Sequence, residues 1–121
     1  MSTVLVADDE AEIRELVAVT LGGSFDRVLQ AADGEEALRL ARAERPALVI
    51  LDHHMPHRSG LEVAEQLRAD TVTRTIPWIM LTGLDDDDAA QRCLEAGAKA
   101  YLTKPFSPLE LLSCVEKLLR I

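Results

Sequence analysis

Aromatic residues are scarce in this chain of 121 residues, because one Trp, one Tyr and two Phe make up only 3% of it. Apolar residues nevertheless reach 48%, so the core must consist mostly of Leu, Val, Ile and Ala. The length suits one ordinary domain that buries a core of its own. We therefore predict a single domain over residues 1–121.

Positive charge is also in short supply. The chain has 13 Lys and Arg against 21 Asp and Glu, which gives a formal net charge of −8. Nucleic acid and anionic membrane surfaces repel such a chain, so neither is expected as a direct partner. A basic protein surface or a cation fits this charge better.

Long apolar runs and paired cysteines are missing as well. No run approaches the roughly 18 apolar residues of a membrane span, and the opening "MSTVLVADDE" turns acidic too early for a signal peptide. Cys93 and Cys114 fall in helical patterns without metal-ligand spacing, which predicts buried, reduced thiols. A cytoplasmic location is therefore expected.

The chain does contain an alternation of two patterns. Between segments with helical spacing of apolar residues lie short apolar runs typical of strands. These runs are "TVLVA" (3–7), "RVLQA" (27–31), "ALVIL" (47–51), "IPWIML" (76–81), which holds Trp78 as an expected core residue, and "AYL" (100–102). Helix starts are predicted at Asp9 with Glu12, at Asp33 with Glu36, and at "SPLE" (107–110), and a helix stop at Gly97.

Five strands alternating with five helices predict an α/β fold, a doubly wound parallel sheet with helices on its two faces. The first, third and fourth runs are continuously apolar, as central strands should be. The second contains Arg27 and Gln30, and the fifth is short and carries Lys99. These polar features belong at sheet edges, so the predicted strand order is 2-1-3-4-5.

Sites in such sheets form beyond the carboxyl ends of the strands, where the strand order reverses. Asp8 and Asp9 follow the first strand, Asp52 the third, Thr82 the fourth and Lys104 the fifth. The order reverses between strands 1 and 3, which lie about 4.8 Å apart. We therefore expect the three carboxylates to meet, with Thr82 and Lys104 on the other side of Asp52.

Three carboxylates in one pocket repel one another, by about 4 kcal/mol for two charges roughly 4 Å apart near a protein surface. Lys104 would offset part of this repulsion. Mg²⁺, which binds one or two carboxylates with waters and a phosphoryl oxygen, would offset more. An Asp beside Mg²⁺, a Lys and a Thr hydroxyl is equipped to attack a phosphoryl group.

The chain resembles the receiver domain of two-component response regulators, a flavodoxin-like fold, over essentially its whole length. The segments that carry the resemblance are "VLVADDE" (4–10), "LVILDHHMPHRSGLE" (48–62), "IPWIMLTG" (76–83), "GAKAYLTKPF" (97–106) and the "SPLELL" start of the last helix. The resemblance implies a single receiver domain over residues 1–121. It also implies a cis Lys104-Pro105 peptide, which the turn of the lysine over the pocket favours too.

The resemblance implies a role for each residue of the site. Asp52 matches the phosphoacceptor, and Asp8 and Asp9 match the acidic pair that holds Mg²⁺ together with the backbone carbonyl of His54. Thr82 matches the switch hydroxyl, and Lys104 matches the phosphate-binding lysine. Tyr101 matches the aromatic residue whose rotamer follows the state of that hydroxyl.

The implied function is a signalling switch rather than an enzyme with an external substrate. A sensor histidine kinase or phosphotransfer protein would donate the phosphoryl group to Asp52. The surface around the fourth helix, fifth strand and fifth helix would then change for a downstream effector, and the aspartyl-phosphate would later hydrolyse. His53 stands at a usually apolar position, Ser59 at an often acidic one and His57 at a variable one. These departures leave the acidic, hydroxyl and lysine groups of the site unchanged. What they affect is the shape of the loop after Asp52 and the rate at which the phosphoryl group is lost.

The segment "HHMPH" resembles a transition-metal motif. Adjacent residues of an extended chain point to opposite faces, so His54 should share the side of Asp52 and His53 should point away. Partly solvated loop histidines are therefore expected, and the His54 imidazole is hypothesised to tune the lifetime of the phosphorylated state with pH. The acidic run "LDDDDAA" (84–90) lacks EF-hand spacing and favours a solvated helix start.

Three other functions compete with the switch. A small phosphohydrolase would need a second Asp two residues after the nucleophile, where His54 stands. A degenerate receiver that only binds proteins would not need the complete set of acidic, hydroxyl and lysine groups. A transition-metal protein would need the histidines to converge on one ion.

Overall fold

The computed structural model describes residues 2–83 and 87–119 and contains five strands alternating with five helices. The elements are β1 (Thr3–Ala7), α1 (Ala11–Leu21), β2 (Arg27–Ala31), α2 (Gly34–Glu44), β3 (Leu48–Asp52), α3 (Gly60–Ala69), β4 (Trp78–Thr82), α4 (Asp87–Glu95), β5 (Ala100–Thr103) and α5 (Pro108–Leu119). No helix in this described part of the chain is long and apolar enough to cross a membrane.

The five strands form one parallel sheet in the order β2-β1-β3-β4-β5, which confirms the predicted order. Val4 of β1 pairs with Val28 of β2 on one side and with Leu48 of β3 on the other. Every residue of β1, β3 and β4 is buried, whereas β2 and β5 include exposed residues. The polar residues of the second and fifth runs therefore do mark the sheet edges.

The core consists of two layers, because successive strand residues point to opposite faces of the sheet. On one face, Leu5, Val49 and Met80 pack with the buried residues of α2, α3 and α4. On the other face, residues such as Val6 and Ile50 pack with those of α1 and α5. Trp78 is only 3% exposed in the first layer, which confirms its expected place in the core.

Strands β3 and β4 reach further than their apolar runs predict. Asp52 and Thr82 are the last residues of these strands rather than the first residues of loops. Asp52 pairs with Leu81, and Thr82 pairs with Thr103. The backbone that carries both side chains is therefore fixed by the sheet ladder.

The helix starts agree with the sequence in two cases and differ in two. Asp33 caps α2 by accepting from the Glu36 N–H at 2.9 Å, and Ser107 forms the expected reciprocal pair with Glu110. The prediction that Asp9 caps α1 is wrong, because the N-cap is Glu10 and no side chain caps it. The capping box of α3, formed by Ser59 and Glu62, was not predicted.

Several smaller expectations need correction. Cys114, predicted to be buried, is only partly buried, although Cys93 is fully buried as predicted. Gly97 ends the α4 region with φ of 111°, as a helix stop should. Of the acidic run at 84–90, residues 84–86 lie outside the described residues, and Asp88 is exposed.

Gly60 lies where the start of α3 passes the end of β3. A Cβ at this position would stand 2.3 Å from the backbone oxygen of Asp52 and 2.9 Å from the Met80 sulfur. The first contact is with backbone that the sheet holds in place. Only a residue without a side chain allows this close approach.

We predict that Gly60→Ala lowers the free energy of unfolding by at least about 1–3 kcal/mol, the usual cost of overpacking a core. Urea denaturation followed by circular dichroism measures the change. Gly23→Ala is the matched control, because an added Cβ there meets nothing within 4 Å. Similar losses in both variants would contradict the steric explanation.

Candidate functional site

Four of the predicted site residues converge at the carboxyl edge of the sheet. Asp8 follows β1, Asp52 and Thr82 end β3 and β4, and Lys104 follows β5. The Lys104 Nζ atom lies 2.8 Å from Asp8 Oδ2 and 3.1 Å from Asp52 Oδ1. The lysine therefore bridges two carboxylates that belong to adjacent strands.

The backbone around Lys104 turns the side chain towards these carboxylates. The Lys104-Pro105 peptide is cis, as predicted. The Lys104 N–H donates to the Thr82 carbonyl at 2.6 Å, which continues the pairing of β4 and β5 to this residue. The ammonium also lies 3.3 Å from Glu10 Oε1. Sequence reasoning missed Glu10, and its place directly after Asp8 and Asp9 was the available signal.

Asp8 is held by bonds on both its side chain and its backbone. Its Oδ1 atom accepts from the Glu10 N–H at 2.9 Å. Its carbonyl accepts from Arg14 Nη1 at 2.8 Å, and Arg14 Nε reaches Gln30 Oε1 at 3.3 Å. The first turn of α1 therefore anchors the end of β1, so that the Asp8 carboxylate is positioned before any ligand arrives.

Burial dominates the electrostatics of the two central carboxylates. It raises the pKa of Asp52 to about 6, with a further contribution from the charge of Asp8 and an opposing one from Lys104. Burial also raises the pKa of Asp8, against the hydrogen bonds from Lys104 and the Glu10 N–H. For Lys104, burial lowers the pKa, but its bonds to Asp8 and Asp52 outweigh this and raise it. The ammonium therefore stays charged and compensates part of the buried negative charge.

The oxygen donors near Asp8 fit a hard divalent cation. Carboxylate oxygens of Asp8, Asp9 and Glu10 all lie within 4.8 Å of one another. Mg²⁺ prefers such oxygen ligands and retains several waters. Asp9 and Glu10 are exposed and Asp8 is fully buried, so an ion could enter from the solvent side. The Asp52 carboxylate, which was predicted as a ligand, is not part of this compact group of side-chain oxygens.

A pocket of about 340 Å³ opens above Asp52. It is lined by Asp9, Glu10, Asp52, His54, Gly83 and Lys104. The pocket is large enough for a phosphoryl group and its hydration. Since Asp52 is 5% exposed, this opening is its route of access.

Thr82 and Tyr101 lie on neighbouring strands at different depths. Thr82 is 1% exposed, and its hydroxyl lies 3.5 Å from the Leu102 carbonyl of β5. Tyr101, which pairs with Met80 in the ladder, is 43% exposed on the outer edge of the sheet. The buried Thr82 hydroxyl therefore lies on the strand next to the one that carries the exposed Tyr101 side chain.

The histidines differ from the expectation of three solvated loop residues. His53 is buried at 8% exposure, whereas His54 and His57 are exposed. The rings of His53 and His54 contact each other at a centroid distance of 4.5 Å. His54 lines the pocket with Asp52, on the side that the strand alternation predicts. In the described residues, the histidines do not form a group of three ligands around one point.

Known proteins share both this sequence pattern and this fold. The sequence pattern of the response regulator receiver domain matches residues 4–116. The chain belongs to the response regulator receiver family. As a receiver domain, it is a component of two-component signal transduction.

Relatives of this receiver domain include transcriptional regulators. The phosphate regulon transcriptional regulatory protein PhoB of Pseudomonas aeruginosa is 42% identical over 118 residues, which are 98% of this chain and 52% of that protein. The alkaline phosphatase synthesis transcriptional regulatory protein PhoP of Bacillus subtilis is 43% identical over 97% of this chain and 48% of its own length. The receiver domain thus spans about half the length of these relatives.

Solved structures agree with the receiver fold. The chemotaxis response regulator CheY4 of Vibrio cholerae superposes with a TM-score of 0.89 at 35% identity, covering 98% of both chains. The receiver domain of the Francisella response regulator 1452 gives a TM-score of 0.87 at 31% identity, covering 99% of this chain and 98% of that one.

The raised pKa of Asp52 predicts a dependence of stability on pH. Between its ordinary value of 3.8 and about 6, the folded state keeps a proton that the unfolded state has lost. The stabilising contribution of this proton is full below about pH 4 and disappears as the pH rises through about 6. The difference between the pKa values of Asp52 in the unfolded and folded states corresponds to roughly 3 kcal/mol in the free energy of unfolding.

Asp52→Asn should therefore raise the free energy of unfolding by about 1–3 kcal/mol at pH 8, and by less than about 0.5 kcal/mol at pH 4. Urea denaturation in buffers with EDTA measures both values. Glu65→Gln, at an exposed position within α3, is the matched control and should change neither. A gain at Asp52→Asn that is independent of pH would contradict the assigned cause.

Proposed function

We propose that this receiver domain is a phosphoacceptor switch in which Asp52 takes a phosphoryl group and later loses it by hydrolysis. The observation that carries the proposal is the position of Lys104, whose ammonium lies 3.1 Å from Asp52 and 2.8 Å from Asp8. A carboxylate that lies in a pocket beside a positioned ammonium group is suited to attack a phosphorus atom. The proposal treats residues 1–121 as one receiver domain.

The side chains of the pocket divide the work of the transfer. Asp52 attacks the phosphorus through a carboxylate oxygen, and the bond from phosphorus to the donor's leaving atom breaks. Lys104 then binds a phosphoryl oxygen and offsets its charge. Asp8 and Asp9, with Asp52 and the His54 carbonyl, would hold Mg²⁺, which supplies further positive charge to the phosphoryl oxygens when bound.

The Thr82 hydroxyl and Tyr101 are proposed to report the state of Asp52. Thr82 ends the strand next to Asp52 and holds its hydroxyl 3.5 Å from the Leu102 carbonyl. A phosphoryl oxygen on Asp52 offers that hydroxyl a charged acceptor, which forms the stronger bond. Movement of Thr82 would leave space for Tyr101 to turn inward.

The partners follow from the two exposed regions of this machinery. A sensor histidine kinase or phosphotransfer protein would present its phosphoryl group at the mouth of the pocket. A downstream effector would bind the α4–β5–α5 face, where a groove of about 720 Å³ includes Tyr101, Leu109 and Leu118. Leu109 is 74% exposed, so this face has apolar surface to bury.

We propose a cytoplasmic location from the acidic composition and the free thiols.

We predict that acetyl phosphate with Mg²⁺ adds one phosphoryl group to the wild-type chain and none to Asp52→Asn. The amide cannot supply the nucleophilic oxygen, although it keeps the shape of the side chain. Intact-mass spectrometry measures the addition. Asp88→Asn is the control and should be labelled like the wild type.

Equal labelling of Asp52→Asn would disprove the assigned phosphoacceptor. Absence of labelling in the wild type would instead favour the protein-binding alternative. Release of phosphate from added phosphate esters over many turnovers would favour the phosphohydrolase.

We predict that Asp9→Asn weakens Mg²⁺ binding without destabilising the fold. Asp9 is exposed and takes no part in capping α1, so its carboxylate remains available to an ion. Loss of a direct ligand should cost at least the roughly tenfold loss of affinity typical of removing an outer partner. Calorimetric titration with Mg²⁺ measures the affinity, and urea denaturation measures the stability. Glu12→Gln, at an exposed position of α1, is the control; an equal loss there would point to general charge rather than ligation.

A further inference from the structure

The loop between β3 and α3, residues 53–59, contains a strained turn. The Arg58 N–H donates to the Pro56 carbonyl at 2.8 Å, and His57 between them has φ of 70°. This is a γ-turn with a side chain in the left-handed region, a conformation that non-glycine residues avoid. Such a turn persists only where its surroundings hold it.

Arg58 supplies a contact that holds this turn from outside the loop. Its Nε atom donates to Glu35 Oε1 of α2 at 2.6 Å. Its Cβ atom packs so closely over Gly34 that a Cβ on the glycine would lie 2.8 Å away. The Arg58 side chain is 33% exposed and that of Glu35 is 63% exposed, so the pair is only partly shielded, on the Arg58 side. The loop is thus tied to the first turn of the neighbouring helix.

The same loop carries His54, which lines the pocket beside Asp52. At the base of the loop, the Gly60 N–H donates to the His53 carbonyl at 3.0 Å, which closes residues 53–60 into a compact unit. Within this unit, only three residues separate Arg58 from His54. The two anchors of the unit are the end of β3 and the contact with α2.

We propose that Arg58 is a positioning residue for the phosphorylation site. Through Glu35 and Gly34 it fixes the loop, and thereby the orientation of the His54 backbone towards the pocket. The inference rests on the proposed function, in which the His54 carbonyl is a ligand of Mg²⁺. No contact between Arg58 and the reacting atoms is required.

The test is calorimetric titration of the unphosphorylated protein with Mg²⁺. We expect Arg58→Ala and Glu35→Ala each to weaken binding by about two- to fivefold, as suits a partly exposed ion pair. The double variant should lose little more than either single variant, because both remove the same interaction. Removal of a positive charge would by itself strengthen binding of a cation, so a loss in Arg58→Ala cannot come from long-range charge.

Arg42→Ala is the matched control. Arg42 forms an equivalent pair with Asp70 between α2 and the end of α3, remote from the pocket, and its loss changes the net charge in the same way. Its Mg²⁺ affinity should equal or slightly exceed that of the wild type. Hydrogen exchange of the Gly60 amide gives a second, metal-independent readout, which should accelerate in Arg58→Ala and not in Arg42→Ala.

The outcomes separate the two proposals. Wild-type protein that binds no Mg²⁺ would overturn the metal-dependent function and this inference with it. Wild-type Mg²⁺ affinity in Arg58→Ala would overturn the inference alone, even with faster exchange at Gly60, since the role would then be structural only. Equal losses in Arg42→Ala, or additive losses in the double variant, would overturn it as well.

Discussion

The burial of two carboxylates against one ammonium is the interaction on which the site depends. Asp8 and Asp52 lose their hydration because β1 and β3 are central strands whose ends lie inside the molecule. Lys104 restores part of the lost interaction, but the pKa of Asp52 remains raised to about 6. The folded protein therefore retains a region of unfavourable charge at neutral pH. A trade of stability for a reactive carboxylate is common in functional sites.

Other residues around the site hold the backbone near these charged groups in place rather than add charge to them. The ladder holds the ends of β3 and β4, and Arg14 holds the end of β1 through the Asp8 carbonyl. Gly60 allows α3 to begin against the Asp52 backbone. The rigid sheet thus carries the nucleophile, and the loops around it carry the groups that meet solvent and partners. This division is general for sites at the ends of parallel strands.

Much of this arrangement was predictable because its signals are local. Continuous apolar runs distinguish central from edge strands, and the residue that follows each strand must lie at the carboxyl edge. The failures also have local causes. Asp9 has capping-box spacing, but the chain enters α1 one residue later, with Glu10 as N-cap. His53 was expected to be partly solvated, but it directly follows buried β3, its N–H still donates to the Leu81 carbonyl of β4, and it is buried.

The sequence by itself determined the α/β class, the strand order and the set of polar groups that meet at one edge, because periodicity and residue chemistry act over a few positions. Only the tertiary structure decided the distances within that set. Lys104 and Glu10 meet across 94 positions of sequence, and Arg58 meets Glu35 across 23. Such contacts depend on how whole helices pack on the sheet. The physical reason is that packing sums many weak contacts over the entire core, whereas a sequence pattern records only which neighbours each residue prefers.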